Sequence, residues 1–405
     1  MTETPLSPRR RGWRILGLIV VGMVLLTIGG GFWWYYDDGD LEVVREQARQ
    51  QGRPLTWGDM GLKLADAERL QAWKRITELT AQVKSYQMIP SSQRKDGPLL
   101  KAWEPIPQEL REHHQAMDAT AIAELIDLLD RLGDQILVLH DEVTFATRMP
   151  EIGVARELMR FMQERMLLAE GDEVVTWGRR MLALCRRYSG DSVVPHMVRV
   201  SLMTIALGAI SRRLSDIKVT DPTIATDILT TTQTLHPDLL HAIDGDFLME
   251  LDLLTSRDTY KDGWYMPLIC RAGRQGALLA VLEAHQQLHL LDEPGSLAWA
   301  RTTEEKFDTA RQGITYPSLV LQGLFMPAWI AVVSSGQRTA LHGRLLAAEL
   351  QGQPWPIDNF DPTGAVLRPI AHDGRVIAAY SVDTDGIDQG GRDKVDRVFP
   401  LYAKP

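Results

Sequence analysis

Near the C-terminus, Asp383-Thr384-Asp385-Gly386-Ile387-Asp388 is followed by Gly390, Gly391, Asp393 and Asp396. Carboxylates this dense on a glycine-rich stretch could wrap a hard cation such as calcium, which takes ~6–8 oxygen ligands. The same residue types also build an ordinary solvated turn, where Asp and Gly best fit the backbone. The spacing is not that of an EF-hand. With Asp383 and Asp385 at the third and fifth loop positions, Ser381 holds the first, and Arg392 stands where a bidentate Glu belongs.

A second candidate is His285-Gln286-Gln287-Leu288-His289. Histidines at i and i+4 on a helix can share a zinc ion, but Gln286 replaces the Glu that a metalloprotease carries there. A helix face without metal is the simpler reading. His113, His114, His236 and His241 are weaker still. No Gly-x-Ser-x-Gly elbow, phosphate-binding loop or dinucleotide fingerprint occurs. The acidic pairs Asp127/Asp130 and Asp244/Asp246 have no distinctive spacing, and a glycosidase pair is recognised only in three dimensions. Cys185 and Cys270 sit in apolar helical surroundings, where a lone buried thiol is the simpler reading and a disulfide the alternative. No residue is assigned a catalytic role, and no cofactor beyond calcium is expected.

The elements that must position these residues are mainly helical. Leu41–Gln51 reads as a short helix stopped by Gly52 and Pro54, and residues 64–86 form a long amphipathic stretch. Residues 89–107, rich in Pro, Ser, Lys and Gly, read as a linker. Helical runs are expected at 119–147, 153–169, 173–188, 194–214, 225–234, 239–255, 265–291 and 318–350. Asp172, Asp191 and Asp221 are the expected N-caps, and His236-Pro237 and Asp292-Glu293-Pro294-Gly295 the turns. Short connections favour antiparallel neighbours, hence a multi-helix bundle or irregular helical array. Met159, Met162, Met166, Met197 and Met203 read as core filler. From Gln351 the pattern changes to turn residues, with strands at 365–370 and 375–382 around His372-Asp373-Gly374 and a third at 397–401.

The chain's net charge is −9. Because Arg9, Arg10, Arg11 and Arg14 face only Glu3 in the first 36 residues, the rest is more acidic still. No concentrated basic face is present, which argues against nucleic acid as a partner. Ile15 to Tyr36 carries no charge, and at ~1.5 Å per residue it spans the ~30 Å hydrocarbon core. Arginines precede it and Asp37, Asp38 and Asp40 follow, with Trp13 at one end and Trp33, Trp34, Tyr35 and Tyr36 at the other. Those flanks place the N-terminus in the cytoplasm and the bulk outside. The Gly29–Gly31 run leads straight into aromatic residues, a poor context for signal cleavage.

At the tail, Asp361-Pro362-Thr363-Gly364 and Tyr380-Ser381-Val382-Asp383-Thr384-Asp385-Gly386-Ile387-Asp388-Gln389-Gly390-Gly391 resemble the pattern DPF-x-G…YSVGPDGKDDGG. That pattern closes type II secretion pseudopilin-like proteins. It also ends a family of uncharacterised bacterial proteins with one N-terminal membrane helix and a long helical body. The second likeness extends to Arg53-Pro54-Leu55-Thr56, Leu182-Ala183-Leu184-Cys185-Arg186 and Arg344-Leu345-Leu346-Ala347-Ala348-Glu349-Leu350. The pseudopilin loop binds calcium, so the resemblance implies Asp383, Asp385, Asp388 and Asp393 as ligands. Three departures stand out. Asp383-Thr384 replaces Gly-Pro, Gln389 replaces the second Asp of Asp-Asp-Gly-Gly, and one residue is missing before Gly364. The pilin leader and single long helix are absent, so a pilin subunit is not expected.

The resulting expectation is a cytoplasmic tail (1–12), a transmembrane helix (13–36), juxtamembrane helices and linker (37–106), a helical domain (107–350) and a small β-module with the acidic loop (351–405). The expected role is a scaffold or protein-interaction protein on the periplasmic side of a bacterial inner membrane, its protein partner not specified. An extracytoplasmic hydrolase built from scattered Asp, Glu and His is the alternative.

Overall fold

The computed structural model describes residues 39–61, 65–86, 106–133, 137, 149, 151–188, 192–255, 266–312, 329–391 and 396–401. The expected membrane helix, its cytoplasmic tail and Asp393 lie outside these residues. The described residues are mainly helical, with one three-stranded antiparallel sheet near the C-terminus.

Helix α1 (Gly39–Gln50) buries Leu41, Val44 and Ala48, spaced to share one face. A capping box between Thr56 and Asp59 then turns the chain. Asp66 caps α2 (Ala67–Gln82). Next come α3 (Gln108–Gln115), α4 (Ala119–Leu132), α5 (Glu151–Leu168), α6 (Asp172–Arg187) and α7 (Val193–Arg212). The series continues with α8 (Leu214–Thr220), α9 (Ile224–Gln233), α10 (Leu235–Thr255), α11 (Met266–His289), α12 (Glu293–Gln312) and α13 (Trp329–Gln351).

Helices α7 and α13 are the hubs. α7 touches α5, α6, α8, α10 and α13, and α13 also packs on α8, α9, α10 and α12. With a mean hydropathy of 1.6, α7 is long and apolar enough to cross a membrane, yet 67% of its apolar window is buried inside the protein. A helix apolar all round must be covered all round, and here protein covers it. α13 meets α9 closely because Gly343 carries no side chain. A Cβ there would lie 2.5 Å from Thr232 Cγ2.

Several boundaries differ from the sequence expectation. The run at 119–147 stops at Leu132, because Gly133 adopts φ 63°. His236-Pro237 does not break the chain, since Pro237 falls in the first turn of α10, where its missing N–H has no partner to lose. The same logic hid α12 completely: Pro294 and Gly295 sit in its first turn, and Asp292 accepts the Gly295 N–H at 2.9 Å. The expected caps shift as well. Asp172 begins α6 behind Gly171, and Asp221 accepts from Thr223 N at 2.9 Å just ahead of α9. Asp191 lies outside the described residues, and Val193 N at the start of α7 is met by Asp246 instead, at 3.0 Å.

After Gly352 the chain builds a sheet of β1 (Arg368–His372), β2 (Arg375–Ser381) and β3 (Arg397–Pro400) in the order β1-β2-β3. Asp373 and Gly374, at φ 49° and 74°, make the two-residue turn that matches strand twist. The sheet is fastened to the hubs. Ser211 of α7 donates to the Pro400 carbonyl, and His342 of α13 stacks on Phe399 at 5.2 Å.

Candidate functional site

The acidic loop follows β2 and sits over α12 and α13. Its foundation is Asp358, whose side chain is sealed from solvent. Its carboxylate accepts from Phe360 N (3.0 Å), Ser381 Oγ (2.8 Å) and Val382 N (3.1 Å). Asp361 forms the neighbouring turn, accepting from Thr363 N and Thr363 Oγ1. The Thr363 hydroxyl and the Arg368 guanidinium hold its carboxyl down to about 2. Gly391 lies so close to Ile370 and Tyr380 that a Cβ would meet them at 3.0 and 3.1 Å. The motif residues are therefore those that the tight backbone needs.

Each described member of the expected ligand set already has protein partners. Asp383 Oδ1 takes Arg338 Nε at 2.6 Å. Asp385 accepts from Ile387 N at 2.9 Å and Gln389 Nε2 at 2.7 Å, which lowers its pKa. Asp388 accepts from Gly390 N (2.9 Å) and the Tyr380 hydroxyl (3.2 Å), and pairs with Arg368 Nε at 3.1 Å. Asp396 holds Gly391 N at 2.7 Å. Among the described residues no group of three or more His, Cys, Asp or Glu side chains is placed to hold a metal ion. In the described part of the loop, guanidinium groups already supply positive charge at Asp383 and Asp388. Asp393 is outside the described residues.

The histidine pair on α11 does meet a carboxylate. His289 Nε2 lies 3.3 Å from Asp244 Oδ1. Arg53 also reaches Asp244, at 3.3 Å, so the acid pairs with a guanidinium as well. His285 is buried edge-on against Trp329, and desolvation pushes its pKa down to about 3. The acidic pairs noted in the sequence separate. Asp127 joins Arg131 and Asp130 joins Arg180, while Asp244 and Asp246 serve different neighbours. Cys185 is a free, buried thiol pushed up to about 12, so it holds no nucleophilic thiolate. Met159, Met162, Met166 and Met203 are core residues as expected.

Three polar groupings gave no warning in the sequence. His114 and Glu164 pair at 2.8 Å in full burial, and Glu164 also accepts from Tyr86 N at 2.9 Å. Half-buried Asp246 and buried Glu250 lie one turn apart on α10. Burial, and for Glu250 the neighbouring Asp246, raise them, Asp246 to about 7. His196 is wholly buried with neither ring nitrogen bonded, beside a crevice of about 20 Å³ that His236, Ser296 and Gln337 also line. That space suits one water molecule rather than a substrate. Neither family models, nor characterised proteins, nor solved structures give a match to this chain.

Proposed function

We propose that the chain is a single-pass protein of a bacterial inner membrane, anchored through residues 13–36 with its N-terminus in the cytoplasm. Its helical body works in the periplasm as a scaffold or interaction protein. The anchor rests on the uncharged run Ile15 to Tyr36 with arginines before it and aspartates after it. The scaffold reading is carried by what the polar side chains do. Among the described residues, the acids and histidines singled out from the sequence are engaged in arginine pairs and turns, or are buried in the core.

A broad cleft of about 840 Å³ beside α1 and α11 is lined by Glu42, Glu46, Gln47, Gln50 and Gln286. Acids and amides without a histidine or nucleophile suit a contact surface better than a reaction centre. The hydrolase alternative would rely on Asp246 and Glu250, of which Glu250 is buried out of a substrate's reach.

A C-terminal alkaline phosphatase fusion tests the topology. High phosphatase activity in cells, with the protein resisting carbonate extraction, is expected. An inactive phosphatase together with a bright fluorescent-protein fusion at the same point would overturn it. Turnover of chromogenic ester, glycoside or phosphodiester substrates by the purified full chain, lost on Glu250→Gln, would replace the scaffold reading with the hydrolase.

A further inference from the structure

Two departures of the tail from the pseudopilin-like pattern, Asp383 for Gly and Gln389 for Asp, acquire a common explanation once the partners are known. Where the pattern has Gly, this chain has Asp383, in the left-handed region at φ 57°. That backbone suits glycine and is uncommon for other residues, although Asp tolerates it better than most. What the substitution gains is a contact. Arg338, on α13, brings Nε and Nη2 each to 2.6 Å from Asp383 Oδ1, and its guanidinium lies 6.0 Å from the Phe360 ring. The two side chains are only 25% and 16% exposed, so solvent screens the pair weakly.

Next to Asp383, the backbone carbonyl of Thr384, which a proline would also carry, accepts from Arg301 of α12. Where the pattern has a second Asp, Gln389 supplies a donor in place of an oxygen ligand and closes on Asp385 at 2.7 Å. Inside the module, Arg368 lies against Asp361 and Asp388, stands 4.0 Å from Asp358, and stacks over Tyr380 at 6.0 Å. Asp383 and Gln389 each bring a side chain that pairs with a protein group, Asp383 accepting from Arg338 and Gln389 donating to Asp385.

We propose that this tail is an arginine-latched, metal-independent form of the loop. Arg338 and Arg301 fasten it to α13 and α12, and Arg368 and Gln389 close it internally, where the resembling family uses calcium. The latch makes the module part of the helical body, because two of the four groups that hold the loop come from helices outside it. It stands independently of whether the body is a scaffold or an enzyme.

Hydrogen exchange of residues 380–391 in the full chain tests the latch. Exchange in the wild-type protein is expected to be the same in millimolar calcium chloride as in EGTA. Arg338→Met should speed exchange over 382–387 by about tenfold, as expected for removing one member of a partly desolvated charge pair. Asp383→Asn, which keeps a side chain tolerant of the left-handed region, should do the same. The double variant should be no faster than either single one. Calcium slowing the wild-type loop reversibly would overturn the proposal, as would Arg338→Met leaving exchange unchanged. The calcium comparison needs no variant, so a substitution that unfolds the module still leaves a decisive reading.

Discussion

At the residue scale, the buried titratable groups pull stability in opposite directions with pH. His196, His285 and His342 are pushed down to about 3 by burial, against ~6.5 for a free histidine. Below pH ~6.5 the unfolded chain binds protons that these rings refuse, so their contribution is full above that pH and is lost towards about 3. Asp246, raised to about 7, and Glu250, raised by burial and by Asp246, behave in the reverse sense. The folded state holds their protons while the unfolded state releases them above pH ~4, so stability falls as pH rises towards 7. Glu250→Gln, which removes one charge without changing shape, should therefore stabilise the protein more at pH 8 than at pH 5. Urea unfolding at the two values reads the difference, and equal gains at both would contradict it. None of this was legible in the sequence, where Asp246 and Glu250 look like ordinary helix-surface acids. Burial is set by α7 and by the fold around it, and a spacing of four does not say which face is covered.

At the element scale, the helices were largely legible because their apolar periodicity is strong, and the errors cluster where one residue type has two uses. Pro237 and Pro294 read as turns but open helices, since a proline in the first turn has no intrahelical hydrogen bond to lose. The β-hairpin was legible from Asp373-Gly374. Arg338, 45 residues from Asp383 in sequence, carries no local mark of its role. Close helix approach was equally silent. Gly343→Ala improves intrinsic helix propensity by ~1 kcal/mol, yet it forces a methyl against Thr232, whose hydroxyl is tied to the Ile228 carbonyl at 2.9 Å. A net loss of about 1–3 kcal/mol is expected from overpacking. Thr232→Ser, which removes Cγ2, should recover part of it. A rise in thermal midpoint for Gly343→Ala alone would show that α9 and α13 separate freely.

At the scale of the whole molecule, the segment nearest the proposed anchor is locked to the body. Arg274 of α11 grips both oxygens of Asp40, at 2.6 and 2.8 Å, and Arg53 pairs with Asp244 beyond the other end of α1. Arg274→Glu should free α1 at a cost of about 3–5 kcal/mol, the range for breaking a largely desolvated ion pair. Combining it with Asp40→Lys should restore much of the protection of residues 41–50 against hydrogen exchange. Protection unchanged in Arg274→Glu would mean that Leu41, Val44 and Ala48 hold the helix unaided.

That lock also sets a waiting time. Asp40 leaves the ribosome 234 residues before Arg274, which at about 5–20 residues per second amounts to roughly 12–50 s. Throughout that interval the apolar face of α1 has no α11 to cover it. On the proposed topology it emerges beside the lipid headgroups, where an amphipathic helix can lie in the interface. The bilayer would then serve as the temporary partner of the first helix until its permanent one is made.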